Sequence, residues 1–472
     1  MLQNHETRHL YKEPWSKGRC IVFLPSNPVY PLTMKLIWCS LLGLYLGRSH
    51  ASPTPPSEDS FYRLPADYET KPPGHILDHR PLPHPLKDPL PSFFETGHQI
   101  IYRTTDSFDQ PTASLATLLI PPNANLSRIL AYFPVQNSAS IDCSPSYVIA
   151  DGVNEEKTSD RVIELVHTIV LAGALNQGWP VIMPDYEGFG AAFMANRRGA
   201  FAGLDSIRAA LASSPFTHIS ADAVAVMMGY SGASPSTVLA AEFQRSYAPE
   251  LKIEGVATGG ILMNLTTVLE LAIPAPNNLP PALWGLANEY PPINRVVQAH
   301  LAAAGGGAEK TAEFEAARDQ CAGALKENFG TANMSTYFDS LDFLNTSAVT
   351  RILDENSPGQ GVPGAPVLVY ESTHDDKSPI GDADALVRNY CAAGVLVDYR
   401  KYKVESHTAL SVDGMFAALV WAKERFDGVS MGEECRTSDH FSALGADAAA
   451  FVPDALTGWV DRHLGTNLGA AL

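Results

Sequence analysis

The sequence predicts an α/β fold: a mainly parallel sheet covered by helices on both faces, with a helical cap inserted late. Three observations carry this. From residue 128 onward, short apolar runs alternate with stretches of helical spacing, as in a parallel sheet with crossover helices. One run, Ala223–Met228, breaks into Gly229-Tyr230-Ser231-Gly232-Ala233 and resumes as a helix through Thr237, Leu239 and Phe243. Between 263 and 346 the strand rhythm stops, and it returns afterwards.

The chain begins with a segment that does not belong to that core. Met34-Lys35 is followed by an apolar stretch, Leu36–Leu46, then Ser49-His50-Ala51. A basic start, a short apolar core and a small-x-small site form a secretory signal peptide. Residues 1–51 therefore read as an upstream extension plus signal, with translation starting at Met34, and the protein as secreted. The apolar stretch is too short to span a bilayer comfortably. His5-Glu6-Thr7-Arg8-His9 matches a zinc protease signature but precedes the signal and lacks an apolar helix face, so no metal site is expected. Residues 52–95, rich in proline and charge, read as an extended arm over the surface.

Hydrophobic residues make up 45% of the chain and charged ones 18%, which suits a large globular core. The net charge of −18 argues against nucleic acid and an anionic membrane surface as partners. His98–Arg103 and Leu115–Ile120 read as paired strands. Arg128–Phe133 is a buried strand running into a polar loop at Gln136-Asn137-Ser138. Val162–Leu175 is helical, Trp179–Met183 a strand, Leu204–Leu211 helical and Ile253–Thr258 a strand. Strands return at Pro366–Glu371 and Val395–Tyr402. The core thus covers 96–262 and 347–430, the cap 263–346 and a C-terminal tail 431–472. Within the cap, Leu279, Leu283, Trp284, Leu286 and Tyr290 read as a wall for an acyl chain.

The strand–turn–helix around Ser231 is the setting of a nucleophile elbow. Small flanking residues make room for a strained serine, and the helix N-terminus behind it offers N–H groups to a developing oxyanion. The usual pattern is G-x-S-x-G, and here Ala233 holds the last position. A strict match at Gly428–Gly432 follows a helical pattern and precedes Glu433-Glu434, which rules it out on context.

A serine needs a base, and the base needs a carboxylate to orient it. Both are expected after later strands, in the order Ser, acid, His. The strand at 366–371 runs into His374-Asp375-Asp376, and that at 395–402 into Glu405-Ser406-His407. Asp375 is the acid and His407 the base, with Asp376 and then Asp382 as alternative acids and His374 as the alternative base. The N–H of Gly232 and a donor at Asn137 would form the oxyanion hole. This chemistry needs no cofactor and no metal. Cys143, Cys321, Cys391 and Cys435 follow the signal, and an even count in a secreted chain suggests two disulfides, with three pairings open. Sequons at Asn125, Asn264, Asn333 and Asn345 fit the same compartment.

These pieces resemble the fungal secretory lipase family, the lipase A type of α/β-hydrolase. The matching segments are Gly229–Ala233, Pro184–Phe189 with Ala191-Ala192-Phe193, Asp142–Tyr147, Ser246–Leu251, Asp375 with Pro379, and Glu405–Ala409. The resemblance implies Ser231, Asp375 and His407 as the triad, a helical lid, and disulfides Cys143–Cys321 and Cys391–Cys435. It also implies an oxyanion donor near Asn137, where the family's best-known lipases carry an aspartate. The expected activity is hydrolysis of small-molecule or lipid esters through an acyl-enzyme, with transient contact to a lipid interface. Deacetylation of a secondary metabolite and acyl transfer are the alternatives on the same site, and a binding protein with a hydrolase fold is the alternative class.

Overall fold

The computed structural model describes residues 52–153, 160–274, 276–443 and 451. The chain divides at His50–Ala51. The first unit, on which the signal-peptide and Met34 readings fall, lies outside the described residues, and all the described residues belong to the second.

Among the described residues, ten strands form one sheet in the order β1-β2-β3-β5-β4-β6-β7-β8-β9-β10. They are β1 Ile76–Pro81, β2 Thr96–Thr105, β3 Pro111–Ile120, β4 Arg128–Phe133, β5 Val181–Pro184, β6 Val224–Tyr230, β7 Ile253–Gly259, β8 Val367–Ser372, β9 Val397–Tyr402 and β10 Arg436–His440. The first three are antiparallel, and β3 pairs antiparallel with β5. From β5 onward every pairing is parallel.

Alternation along the strands explains the two covered faces. On β6, Val226 and Met228 point into one apolar cluster and Ala225 and Met227 into another. The first cluster is completed by α1 (Arg161–Asn176) and by α11 (His407–Phe426). The second is completed by α2 (Asn196–Ala212) and α3 (Ser234–Tyr247). A central parallel strand must be apolar on both sides because both sides are dry.

Two segments differ from the sequence expectation. Residues 52–95 are more than a surface arm: they contribute edge strand β1, and Leu86, Leu90 and Phe93 are buried in the core. Residues 431–443 are not a plain tail, because they supply β10, with Cys435 at its entry bonded to Cys391 and with Arg436 paired to Asp398 at 2.9 Å. Beyond Ile76 and Leu77, which pack on the core, both strands are polar, Asp-His-Arg-Pro in β1 and Arg-Thr-Ser-Asp-His in β10, as edge strands facing water can be.

Among its described residues, the 263–355 region holds six α-helices and no strand: α4 Leu265–Ala272, α5 Leu279–Glu289, α6 Pro291–Ala303, α7 Gly307–Ala316, α8 Ala322–Phe329 and α9 Ser347–Glu355. These helices share one apolar cluster. Helix α9 belongs to it through Val349, Ile352 and Leu353, so the cap packing extends beyond residue 346. The cluster also holds Leu279, Leu283, Trp284, Leu286 and Tyr290. They are the cap's own core rather than an acyl-chain wall, and the Trp284 indole N–H donates to the Phe314 carbonyl at 2.8 Å. A buried ion pair joins cap to core, Arg198 on α2 with Glu289 on α5 at 2.7 Å.

Helix α1 also bears on the loop after β4. His167, 3% exposed, hydrogen-bonds the backbone of Val135. Burial holds its pKa down at about 4. An unfolded chain protonates this histidine near pH 6.5, whereas the folded one excludes the proton to about pH 4. Stability from this group is therefore complete above the upper value and lost as pH falls across that window. A His167→Gln variant should lack a loss on the order of 3 kcal/mol that the wild type shows between those limits. Denaturant titrations of both proteins at pH 7 and pH 4.5 check this.

Candidate active site

Strand β6 ends at Tyr230, and Ser231 turns the chain with φ of 51°. A non-glycine residue there is strained. The turn lifts Ser231 to the carboxyl edge of the sheet, and α3 starts three residues later. The Ser234 hydroxyl braces the turn by donating to the Ser231 carbonyl at 2.5 Å. Ala233 has φ of −90°, ordinary for any residue, so the turn does not need the usual glycine. Gly232 does meet a constraint: a Cβ there would lie 2.3 Å from Asn137 Oδ1.

His407 opens α11, and Ser406 caps that helix by accepting from Ala409 N at 3.2 Å. The imidazole Nε2 lies 2.7 Å from Ser231 Oγ, and Nδ1 lies 2.7 Å from Asp375 Oδ2. With the carboxylate on Nδ1, that nitrogen carries the proton and Nε2 is left to accept from the serine. Asp375 follows β8 with its side chain fully buried, its other oxygen accepting from Lys377 N at 2.8 Å and Ser378 N at 2.7 Å. The structure thus brings Ser231, His407 and Asp375 together in one hydrogen-bonded line.

The alternatives lie elsewhere. Asp376 is 65% exposed and pairs with Lys377 at 3.2 Å. His374 shares a hydrogen bond with Thr373 Oγ1 at 3.0 Å. Asp382 sits in the first turn of α10 (Ile380–Ala392). Ser430 is exposed in the loop beyond α11 and accepts from Gly432 N at 3.1 Å.

Above the serine is a cavity of about 280 Å³. Asn137 and Gly232 border it beside Ser231 and His407. Its apolar walls come from Val135 and, on α1, Ile163 and Val166, and from Leu262 with the cap residues Val268, Leu271 and Ala272. Leu271 is 41% exposed. Lys326 on α8 and Asp160, the N-cap of α1, also line it and pair with each other at 2.6 Å. Asn137 holds φ of 50°, a left-handed conformation that asparagine tolerates well. Its loop is pinned to the cap by the Ser138 hydroxyl, which donates to the Gln320 carbonyl at 2.8 Å, and by the neighbouring Cys143–Cys321 disulfide. The second disulfide joins Cys391 to Cys435. All four sequon asparagines are exposed.

Two residues of this neighbourhood escaped the sequence reading. Tyr230 donates its hydroxyl to the His407 carbonyl at 2.8 Å, tying the first residue of α11 to the end of β6. Glu371, buried within β8, accepts from Ile261 N at 2.9 Å. A charged residue directly after the apolar and aromatic run Val367–Tyr370, still inside the strand, was the available signal for it.

Residues 157–434 match the secretory lipase family. The chain is 37% identical over 400 residues to Lipase A of Arthroderma benhamiae, covering 83% of this chain and 84% of that one. It is 31% identical to Lipase 4 of Candida albicans, covering 81% and 84%. Among solved structures, Candida antarctica lipase A in its closed state superposes with a TM-score of 0.77 at 25% identity, over 86% of this chain and 95% of that one. The chain belongs to the secretory lipase family, has its α/β-hydrolase fold and is a carboxylic ester hydrolase.

Proposed function

We propose that this is a secreted lipase or esterase working through Ser231, His407 and Asp375. The observation that carries the reading is the pair of 2.7 Å contacts running from Ser231 Oγ through the imidazole to Asp375, set at the floor of an apolar cavity. Ser231 Oγ attacks the ester carbonyl carbon while His407 Nε2 takes its proton. The carbonyl oxygen becomes an oxyanion beside the N–H of Gly232 and Asn137. The tetrahedral centre collapses, the imidazolium returns the proton to the departing alcohol, and Ser231 is left acylated. Water, deprotonated by the same imidazole, repeats the sequence and releases the acid. Asp375 keeps the tautomer and stabilises the imidazolium in both halves.

The apolar walls suit an acyl chain, and the partly exposed Leu271 at their edge suits contact with aggregated ester. Two disulfides, four exposed sequons and membership of a secretory family support export and glycosylation. Among the described residues no helix is long and apolar enough to cross a membrane. A chain-length series of p-nitrophenyl esters, together with tributyrin raised through its solubility limit, tests the substrate reading. Turnover should favour apolar acyl groups and rise sharply once droplets form. A smooth hyperbola through that limit would assign the site to soluble esters, and no turnover of any ester would refute the activity.

A further inference from the structure

We propose that Glu371 is a positioning residue for the triad: a neutral, buried carboxylic acid that fixes the loop on which Asp375, His407 and Tyr230 rest. The role presupposes that Ser231, His407 and Asp375 are the triad. The loop is Gly260–Leu262, directly after β7. Gly260 has φ of 52°, and a Cβ there would lie 2.7 Å from the Tyr230 ring and 2.8 Å from His407 Cε1. The bare Cα is therefore the surface on which both rings sit. Next to it, Ile261 makes two hydrogen bonds of opposite sense. Its N–H donates to Glu371 Oε1 at 2.9 Å, and its carbonyl accepts from the Ser378 hydroxyl at 2.6 Å. The Ser378 N–H in turn donates to Asp375 Oδ1 at 2.7 Å. One continuous path leads from Glu371 through a single residue of the loop to the acid, then to His407 and Ser231.

The surroundings of Glu371 favour its neutral form. It is fully buried, its Oε2 has no partner among the described residues, and the Asp375 carboxylate faces it. The other titratable groups around it are Tyr230, Tyr370 and Tyr399, each held neutral by burial. Lys401, its register partner on β9, is engaged with Asp384 at 2.7 Å. An ionised Glu371 would place a second negative charge beside the acid in a dry site, at high cost. As a neutral acceptor it holds the loop without competing with Asp375 for the imidazolium.

The test is steady-state hydrolysis of p-nitrophenyl butyrate across pH by the full chain carrying Glu371→Leu, Glu371→Gln, Ser378→Ala or Ser231→Ala. Glu371→Leu removes the acceptor and should lower kcat about tenfold or more with KM unchanged. Glu371→Gln keeps an acceptor and no charge. It should restore kcat to within about threefold of wild type and leave the acid limb of kcat/KM in place. A glutamine variant whose acid limb moves down by about half a pH unit or more would show that Glu371 carries charge in the wild type, overturning the proposal. Wild-type kcat in Glu371→Leu would overturn it as well. If the leucine variant does not fold, Ser378→Ala decides: a lower kcat at unchanged KM supports the path, and wild-type kcat overturns it. Ser231→Ala separates the two readings. Should that variant remain active, the triad itself falls. Should it be inactive while Glu371→Leu is as fast as wild type, only the positioning role falls.

Discussion

Ser231→Ala is expected to lower ester turnover on the order of a millionfold while the protein stays folded. The side chain removed is the one at the strained apex between β6 and α3, 2.7 Å from His407 Nε2. Alanine is smaller than serine, and the turn's bracing comes from Ser234 Oγ and the backbone, so the fold should persist. Ser430→Ala should leave turnover unchanged, although Ser430 sits in the stricter motif. It lies in an exposed loop after a helix, where its hydroxyl accepts from Gly432 N. Rates of both variants on p-nitrophenyl butyrate, with circular dichroism as the folding check, decide between them. Residual full activity in Ser231→Ala would mean that another group is the nucleophile.

Asp375→Asn should cost about ten-thousandfold in kcat, and Asp376→Asn almost nothing. The two neighbours differ in environment more than in chemistry. The Asp375 carboxylate is fully buried and accepts three hydrogen bonds, one of them from His407 Nδ1. An asparagine can present its oxygen to the two backbone N–H groups only by turning its NH2 toward His407. The imidazole would then carry its proton on Nε2 and could no longer accept from Ser231. Asp376 is exposed and paired with Lys377, a contact of the kind worth at most about 1 kcal/mol. Equal losses in the two variants would contradict the assignment of the acid.

How much of this was legible in the sequence depends on whether a residue's environment is written locally. Gly229, Gly232 and Ala233 around Ser231 are small because strand and helix meet there at close quarters, and that shows in the local string. Asp375 and His407 were marked by position alone, each just past a strand pattern, and the parallel sheet brings such positions to one edge. Strands β1 and β10 carried no such signal. They lie at the sheet's edges, so their side chains are mostly polar and lack the apolar alternation that marks a strand. Trp284 and its neighbours on α5 show the opposite limit. Apolar residues at helical spacing fit a cap core and a substrate wall equally well, and only the packing of α5 against α4 and α6, and of Trp284 against Phe314 on α7, sends them inward. The cavity is instead bordered by Val268, Leu271 and Ala272 of α4, which the same pattern did not distinguish. Glu371 was passed over because its contact with the site is one hydrogen bond to a loop 110 residues earlier in the chain.

The central claim is that Ser231 is the group that becomes acylated. Labelling the wild-type protein with a fluorophosphonate, then digesting it and locating the adduct by mass spectrometry, addresses that directly. One adduct per chain is expected, on Ser231, with loss of ester hydrolysis in step with labelling. An active protein that resists the probe, or an adduct on Ser430 or any residue other than Ser231 that accompanies inactivation, would contradict the account.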